Sequence, residues 1–226
     1  MLPVIITKSH QLLPVARSLI NTERPIIVEA GAFWGHDTLR MAQLWPFGFV
    51  HAFEPVPSVF NTLVKNTAEA SNIKCYQQAL SNVDGFIDLH IAYKKDRVTQ
   101  ASSVHSPYKR LELSTKITFP EKITVPALTL ASFMQQQSIN GIDLLWLDLQ
   151  GHELPVLAAN TAILTQIKII HMEVYFVQAY NDHVLYGDIL LWLRQHNFVV
   201  VAQDFKNEVD HFFGNILCMR KDIISF

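Results

Sequence analysis

Apolar and polar positions follow two different periods along the chain, and segments of the two kinds alternate. Short apolar runs bounded by turn residues, which are typical of buried strands, lie at 26–28, 49–53, 73–80, 142–148, 168–175, 198–202 and 211–219. Apolar residues three or four positions apart, which are typical of helices packed on a sheet, recur at 9–21, 39–44, 59–64, 152–157 and 189–193. This alternation predicts an α/β fold, a three-layer sandwich with a mostly parallel sheet.

Two regions depart from this alternation. Residues 85–93 and 122–129 alternate like strands, and they flank a long polar stretch, 94–120, that is rich in basic residues. A connection of this length predicts either a functional lid or a flexible loop, and the sequence leaves both open. Residues 1–25 are expected to form an N-terminal helical extension. Without repeats or an evident linker, we predict a single domain over 1–226.

The N-terminal helix has a candidate cap in Ser9, because a serine side chain satisfies free N–H groups in the first turn. Pro14 lies late for a proline of the first turn, so we expect the helix to start after Ser9.

Composition restricts the class of protein. The chain has 226 residues, of which 50% are hydrophobic and 17% charged, so it is long and apolar enough to bury a substantial core. A net charge of -2 and a pI near 6.5 argue against general nucleic-acid binding. The low charge fraction favours a surface that could form a homodimer.

Membrane and secretory features are missing from the pattern. No apolar run approaches the roughly 20 residues of a membrane span, and residues 1–7 lack the basic region of a secretory signal. Cys75 and Cys218 are too few for a disulfide framework and lie in apolar runs, so we expect both to be buried and reduced. We therefore expect a cytoplasmic protein.

A glycine-rich turn follows the first buried strand. Glu29 ends the strand, Gly31 and Gly35 follow, and polar residues lead into a helix. Such a turn lets a ligand approach bare backbone N–H groups at a helix start. The G-x-x-x-G spacing does not match the G-x-G-x-x-G of dinucleotide folds, and no Lys follows as a P-loop requires. Glu29 suits a ligand with a cationic group, such as the amino acid end of S-adenosylmethionine.

A second acid comes at the end of the next strand. Glu54 precedes Pro55 and lies roughly 20 residues after the glycine turn, where an acid can accept hydrogen bonds from ribose hydroxyls. Residues 78–82 end the following strand, and we expect them at the same sheet edge, beside an adenine ring. Together these features favour a nucleoside-type cofactor. The alternative is an ordinary strand-to-helix turn with a solvated glutamate.

Acids also end strands in the second half of the chain. Asp148 and Glu173 fall late in their strands, and if those strands are neighbours the two carboxylates face one another. Glu153 lies one helical turn beyond Asp148, with His152 beside it. Acids at the ends of apolar strands are costly unless they are paired or used. The alternatives are helix capping by Asp148, a dipole role for Glu153 and a structural role for His152.

Seven sequence blocks resemble the FkbM family of S-adenosylmethionine-dependent methyltransferases, in that family's order from about residue 26 onward. The blocks are V-E-A-G-A-F-W-G (28–35), F-E-P (53–55), A-L-S (79–81), S-S (102–103), W-L-D-L-Q-G-H-E-L-P-V-L (146–157), M-E-V (172–174) and G-N-I-L (214–217). The glycine turn with F-E-P and the block around Asp148 are together fairly specific, whereas either alone would be weak.

The resemblance implies a class I methyltransferase (Rossmann-like) fold whose seven-stranded sheet ends in an antiparallel strand. It also implies that S-adenosylmethionine is the cofactor and that the acceptor is a hydroxyl on a sugar or another small metabolite. Candidate cofactor-binding residues are Glu29, Gly31, Ala32, Phe33, Gly35, Thr38, Glu54, Pro55, Ala79, Leu80 and Asp148. The sequence departs from the family pattern at two places. Glu29 stands where the family has Asp, and the bulky pair Phe33-Trp34 fills positions that are often smaller and more polar.

The mechanism expected is an in-line displacement of the methyl group by an acceptor oxygen, for which the protein aligns the reacting atoms. A hydroxyl needs its proton accepted during the attack, and the candidate catalytic residues are Asp148, His152, Glu153 and Glu173. The same carboxylates could instead hold Mg²⁺, but no spacing here is diagnostic of a metal site, so none is predicted.

Two other classes remain open from the sequence alone. One is a non-catalytic protein that binds the cofactor and acts as an interaction module, which the altered Glu29 and Phe33 positions would fit. The other is a doubly wound oxidoreductase with a nicotinamide cofactor, against which the missing dinucleotide fingerprint argues.

Overall fold

The computed structural model describes residues 5–205 and 212–224. The elements of the first half are β1 (Ile5–Ile6), α1 (Ser9–Leu19), β2 (Ile26–Ala30), α2 (His36–Leu44), β3 (Phe49–Phe53), α3 (Pro57–Thr67), β4 (Ile73–Tyr76), β5 (Ala79–Leu80), β6 (Gly85–Lys94), β7 (Arg97–Val98) and α4 (Arg110–Leu113). The second half contains β8 (Thr118–Leu128), α5 (Leu130–Gln136), β9 (Ile142–Leu147), α6 (Glu153–Ala158), β10 (Ile167–Tyr175), α7 (Tyr186–Gln195), β11 (Phe198–Gln203) and β12 (Phe213–Arg220).

The main sheet has the order β1-β11-β12-β10-β9-β2-β3-β4. Only β12 runs antiparallel to its neighbours, which confirms the mostly parallel sheet with an antiparallel last strand. The sheet has eight strands rather than seven, because β1 pairs with β11 at the edge. A strand of two residues is too short to produce a recognisable period in the sequence. Position 211, where the last strand was expected to begin, lies outside the described residues.

A second sheet, with the order β5-β8-β6-β7, covers one end of the molecule and was not predicted. The run at 73–80 was expected to be one strand, and this is wrong. Residues 73–76 pair with β3 in the main sheet, whereas Ala79 and Leu80 pair with β8 in the second sheet. The apolar character is continuous over 73–80, so the sequence does not show the break. The run forms two strands because its two parts pair with different strands.

The polar stretch 94–120 contains regular structure. It holds β7, α4 and the beginning of β8, and a bridge joins Ser103 to His90 of β6. The backbone N–H groups of Tyr108 and Arg110 both donate to the carbonyl of Ala179. The description of this stretch as a loop was therefore too simple, and its opening and closing as a lid stays a prediction.

Helices cover both faces of the main sheet. On one face, α1 and α2 pack on the inward side chains of β2 and β9, and α3 packs on β3. On the other face, α5, α6 and α7 pack on the alternate side chains of β9 and β10. Both faces are buried, which explains why these strands are nearly continuous apolar runs. No helix in the described ranges is long and apolar enough to cross a bilayer.

The first helix begins at Ser9 with Lys8 as its cap residue, so the expected capping by Ser9 and the later start are both wrong. Pro14 lies inside the helix and cannot donate a hydrogen bond to the carbonyl of His10, four residues earlier. The guanidinium of Arg40 in α2 donates to that carbonyl instead, at 3.1 Å. A neighbouring helix therefore satisfies the acceptor that proline leaves free, which the local sequence could not indicate.

The register of three central strands brings their carboxyl ends to one level. Ala30 lies opposite both Phe53 of β3 and Leu147 of β9. The next residues continue the contact, since Gly31 N–H donates to the Phe53 carbonyl and Asp148 N–H donates to the Ala30 carbonyl. The residues that follow β2, β3 and β9 are consequently held at the same edge of the sheet.

The central strand β9 should dominate stability. Leu145 is fully buried between the sheet and the α5–α7 face, so Leu145→Ala should lower the free energy of unfolding by about 2 to 5 kcal/mol. Leu191→Ala, on the solvent side of α7 where Leu191 is 56% exposed, is the matched control and should change it by less than about 0.5 kcal/mol. Urea denaturation measures both, and equal losses would contradict this arrangement of the core.

Candidate active site

Three adjoining cavities lie at the carboxyl edge of the central strands. The first cleft lies between this edge and the second sheet, and its walls include Phe53, Glu54, Pro55, Gln78, Ala79, Leu80, Leu89 and His152. A small turn pocket lies over the glycine turn and includes Glu29, Gly31, Ala32, Phe33 and Asp37. The second cleft, of about 390 Å³, is bordered by Arg110, Trp146, His171, Glu173, Tyr175 and Asn215, among others. Asp148 and Gln100 border all three cavities.

The glycine turn is shaped by contacts within the protein. Gly31 has a φ of +88°, and a Cβ there would lie 2.0 Å from the carbonyl oxygen of Asp148. Gly35 has a φ of +84°, and a Cβ there would lie 2.7 Å from the side chain of Leu63 in α3. The sequence interpretation assigned these glycines to the approach of a ligand. In the structure, the missing side chains of these glycines let the turn pack against the chain just after β9 and against α3. Only the other side of the turn is left to face a ligand.

Glu29 is buried at the end of β2, where Thr38 of α2 donates a hydrogen bond to its carboxylate at 2.5 Å. Burial raises the pKa of Glu29 to about 8, and the Thr38 hydrogen bond opposes this rise. The Glu29 side chain is one methylene longer than the Asp of the family, and its carboxyl reaches Thr38 in the first turn of α2. A cationic ligand in the turn pocket would favour its ionised form.

Glu54 lies in the wall of the first cleft and shapes the loop around it. Its carboxylate accepts the N–H of Phe33 at 3.0 Å and the N–H of Val56 at 2.9 Å. Burial raises the pKa of Glu54 to about 7, against the lowering effect of those two hydrogen bonds. The predicted neighbours Pro55, Ala79 and Leu80 line the same cleft, so the expected meeting of these strand ends is present.

The bulky pair at the turn packs between the main sheet and the second sheet. Phe33 and Trp34 stack on each other, with ring centroids 4.7 Å apart, and both contact the apolar cluster of the second sheet. Phe33 has a φ of +49°, which is uncommon for a residue with a Cβ. Its N–H thereby reaches Glu54, and its ring borders the first cleft.

Asp148 and Glu173 are brought together by one amide group, because β9 and β10 are neighbours. The Nε2 of Gln150 donates to Asp148 Oδ1 and to Glu173 Oε2, each at 2.8 Å. The Tyr175 hydroxyl donates to the same Glu173 oxygen at 2.5 Å. Burial raises the pKa of Asp148 to about 6 and that of Glu173 well above its usual value. Near neutral pH the first carboxyl is mostly ionised, whereas burial favours the protonated form of the second.

Glu153 and His152 have their polar atoms engaged by the protein. The Glu153 carboxylate accepts the N–H of Leu149 at 2.7 Å and the N–H of Gly151 at 3.0 Å, which holds the turn between β9 and α6. Burial raises the pKa of Glu153 to about 8. His152 Nε2 lies 3.0 Å from the Ser81 hydroxyl, and burial lowers the pKa of the ring to about 4.

Several residues of the second cleft were not predicted. Arg110 belongs to the polar stretch 94–120, for which the sequence predicted no site residue. His171 lies within an apolar strand and was not predicted to border a cavity. His171 stacks on Trp146 with ring centroids 3.5 Å apart, and its buried Nδ1 has no hydrogen-bond partner. The available signal was a histidine between apolar neighbours of a largely buried strand, but only the neighbouring strands show what it faces.

The described residues contain no group of three or more His, Cys, Asp or Glu side chains arranged to hold a metal ion. The buried acids are instead separated by backbone donors and by the amide of Gln150. The cavities thus present isolated carboxyl groups, each with its own hydrogen-bond partners.

Comparison with solved structures identifies the same fold in methyltransferases. The magnesium protoporphyrin IX methyltransferase of Synechocystis PCC 6803, solved with bound SAM, superposes with a TM-score of 0.52 at 12% identity, over 93% of this chain and 79% of that chain. The methyltransferase FkbM of Methylobacillus flagellatus KT superposes with a TM-score of 0.51 at 13% identity, over 87% of this chain and 44% of that chain. At these identities the likeness concerns the fold alone.

Sequence comparison is more specific. The chain is 27% identical over 172 residues to the 2-O-methyltransferase NoeI of Sinorhizobium fredii, which covers 75% of this chain and 68% of that protein. The model of the methyltransferase FkbM domain matches residues 22–200, from just before β2 into β11. The matched range contains the strands β2 to β10, the glycine turn and the acidic strand ends, so the chain belongs to the FkbM family of methyltransferases.

Proposed function

We propose that this methyltransferase moves the methyl group of S-adenosylmethionine to a hydroxyl oxygen of a sugar or another small metabolite. The observation that carries the proposal is the position of Asp148, which borders the first cleft, the turn pocket and the second cleft at once. A donor on one side of this residue and an acceptor on the other would meet beside it. The likeness to a 2-O-methyltransferase supports a sugar hydroxyl as the acceptor.

The residues present fit this cofactor. The first cleft combines apolar walls from Phe53 and Leu80 with the carboxylate of Glu54, which suits an adenosine with two ribose hydroxyls. The turn pocket places Glu29 where a cationic amino group would relieve its buried carboxyl. We assign to the cofactor the lining residues Glu29, Gly31, Ala32, Phe33, Glu54, Pro55, Ala79, Leu80 and Asp148. Gly35 and Thr38 border none of the three cavities, and in this proposal they support the turn by packing on Leu63 and by the hydrogen bond to Glu29. When bound, the cofactor supplies a methyl group on a positively charged sulfur.

Asp148 is the best placed of the four predicted catalytic residues to accept the proton of the acceptor hydroxyl. It borders the second cleft and is mostly ionised near neutral pH, because burial raises its pKa only to about 6. Glu173 borders the same cleft, but burial raises its pKa well above its usual value and favours its protonated form, so Asp148 is the better candidate. Gln150 joins the two carboxyls and fixes the orientation of Asp148.

Glu153 and His152 act as positioning residues in this proposal. Glu153 borders none of the three cavities, and both its oxygens bind backbone N–H groups of the turn after β9. His152 borders the first cleft and contacts Ser81 and His105 through its two ring nitrogens. The homodimer and the cytoplasmic location expected from composition stay predictions.

The test of this function separates donor binding from transfer. Glu54→Gln should weaken binding of S-adenosylhomocysteine about tenfold or more, because a charge-assisted hydrogen bond to ribose is lost. Asp148→Asn should change this affinity much less but should slow transfer to a panel of sugars by 10²-fold or more, by roughly the contribution of a general base. Titration calorimetry and release of S-adenosylhomocysteine measure the two effects, with NADH as the control ligand.

Three results would contradict the assignment. Tight binding of NADH would favour an oxidoreductase, and binding of the methyl donor with no transfer over the panel would favour an interaction module. Equal losses of donor affinity in the Glu54 and Asp148 variants would mean that the donor and acceptor sites are wrongly separated.

The turn pocket should make donor binding depend on pH. Because burial raises the pKa of Glu29 to about 8, its carboxyl is mostly protonated at pH 6 and ionises as the pH rises. Affinity for the cationic amino group should therefore increase from pH 6 to 8, by up to about tenfold per unit. Glu29→Gln should bind more weakly at pH 8 and should reduce this slope to the part that Glu54, with a pKa of about 7, contributes. A slope unchanged in Glu29→Gln would remove Glu29 from the site.

The positioning role of Glu153 predicts a stability effect. Glu153→Ala leaves two buried backbone N–H groups without an acceptor and should lower the free energy of unfolding by about 2 to 4 kcal/mol. Glu153→Gln keeps one acceptor oxygen and should lose less, while the exposed Glu69→Ala serves as the control. Thermal and urea unfolding measure the effect. A fully stable Glu153→Ala protein with no transfer activity would restore the catalytic assignment.

A further inference from the structure

Arg110 borders the second cleft from the first turn of α4 and is half-buried. Its guanidinium carbon lies 5.3 Å from the ring centroid of Phe212, so an aromatic face covers one side of the group. The guanidinium lies near the Tyr180 hydroxyl, where its charge and a hydrogen bond oppose the rise in the pKa of that hydroxyl, but its Nε atom is buried and has no hydrogen-bond partner. A buried donor without a partner destabilises the fold, and a charged one does so more strongly.

The other arginines of the chain do not share this condition. The half-buried Arg17 and Arg220 each form a salt bridge, with Glu23 and Asp222 respectively. The remaining four, Arg24, Arg40, Arg97 and Arg194, are exposed to water. Among carboxylates in the described ranges, none forms a salt bridge with Arg110.

The carboxyl groups that line the second cleft are already committed. Asp37 forms a salt bridge with Arg40, and Asp148 accepts the amide of Gln150. Glu173 accepts the amide of Gln150 and the Tyr175 hydroxyl, and burial raises its pKa well above its usual value even though the Arg110 charge opposes this. None of these three carboxyl groups forms a salt bridge with Arg110, although the Arg110 charge acts on Glu173.

A second unsatisfied atom borders the same cleft. His171 is 4% exposed, and its Nδ1 has no hydrogen-bond partner. Burial lowers the pKa of the ring to about 3, so the imidazole is neutral and suits a hydroxyl group rather than an anion. The cleft thus presents a cationic position at Arg110 and a neutral polar position at His171.

We propose that the acceptor is an anionic molecule, whose carboxylate, sulfate or phosphate group binds Arg110 while one of its hydroxyls is methylated beside Asp148. This inference rests on the proposed function, which makes the second cleft the acceptor site. Arginine suits the task because its planar guanidinium donates two parallel hydrogen bonds to such groups. The neutral atom of His171 holds another hydroxyl of the same molecule.

The test uses matched pairs of probes on the full chain saturated with S-adenosylhomocysteine. D-Glucuronate and D-glucose 6-phosphate are each compared with D-glucose by titration calorimetry. The anionic member should bind about tenfold more tightly than glucose, as expected for a charge-assisted hydrogen bond. Arg110→Gln should abolish this preference and Arg110→Lys should keep part of it, while Arg194→Gln, an exposed control, should leave it unchanged.

The variants also separate this inference from the function on which it rests. All three arginine variants should bind S-adenosylhomocysteine like the wild type, because Arg110 does not border the first cleft or the turn pocket. Equal binding of glucose and its anionic partners, no binding of either anion, or a preference that survives in Arg110→Gln would overturn the inference alone. A wild-type protein that does not bind S-adenosylhomocysteine would overturn the proposed function and this inference with it.

Discussion

The packing of the glycine turn against the chain after β9 is the constraint on which the rest of the site depends. The absent side chain of Gly31 leaves the space in which the Asp148 carbonyl lies, and strand register holds both at the level of Phe53. A side chain at position 31 would separate β2 from the loop that carries Asp148. The first cleft, the turn pocket and the second cleft meet at Asp148, where these two backbones touch.

The site concentrates carboxyl groups in a poorly solvated region, and this arrangement has a physical cost. Desolvation raises the pKa of Glu29, Glu54, Asp148 and Glu173, to different extents. Each has a specific donor, from a backbone N–H, a hydroxyl or the Gln150 amide. A positively charged ligand at this edge would relieve the remaining cost, which explains how the fold tolerates so many buried acids.

The second sheet and the stretch that follows it supply walls to the cavities at the edge of the parallel strands. Its strands β5 and β6 supply Ala79, Leu80 and Leu89 to the wall of the first cleft. The stretch that leaves this sheet carries Arg110 to the second cleft, on the opposite side of Asp148. The segment from β5 to Arg110 thereby contributes to both clefts, whereas the ends of the main-sheet strands supply the carboxyl groups between them.

Sequence alone determined the α/β class, the long strands of the main sheet and the edge at which Glu29, Glu54 and Asp148 lie, because periodicity and strand-end chemistry are local properties. Tertiary structure decided that residues 73–76 and residues 79–80 pair in different sheets, and that Arg40 donates to the carbonyl that Pro14 leaves without a hydrogen bond. It also decided that Glu153 holds a turn and that Arg110 and His171 border one cleft. These outcomes depend on contacts between segments far apart in the chain, and no local pattern encodes such distances.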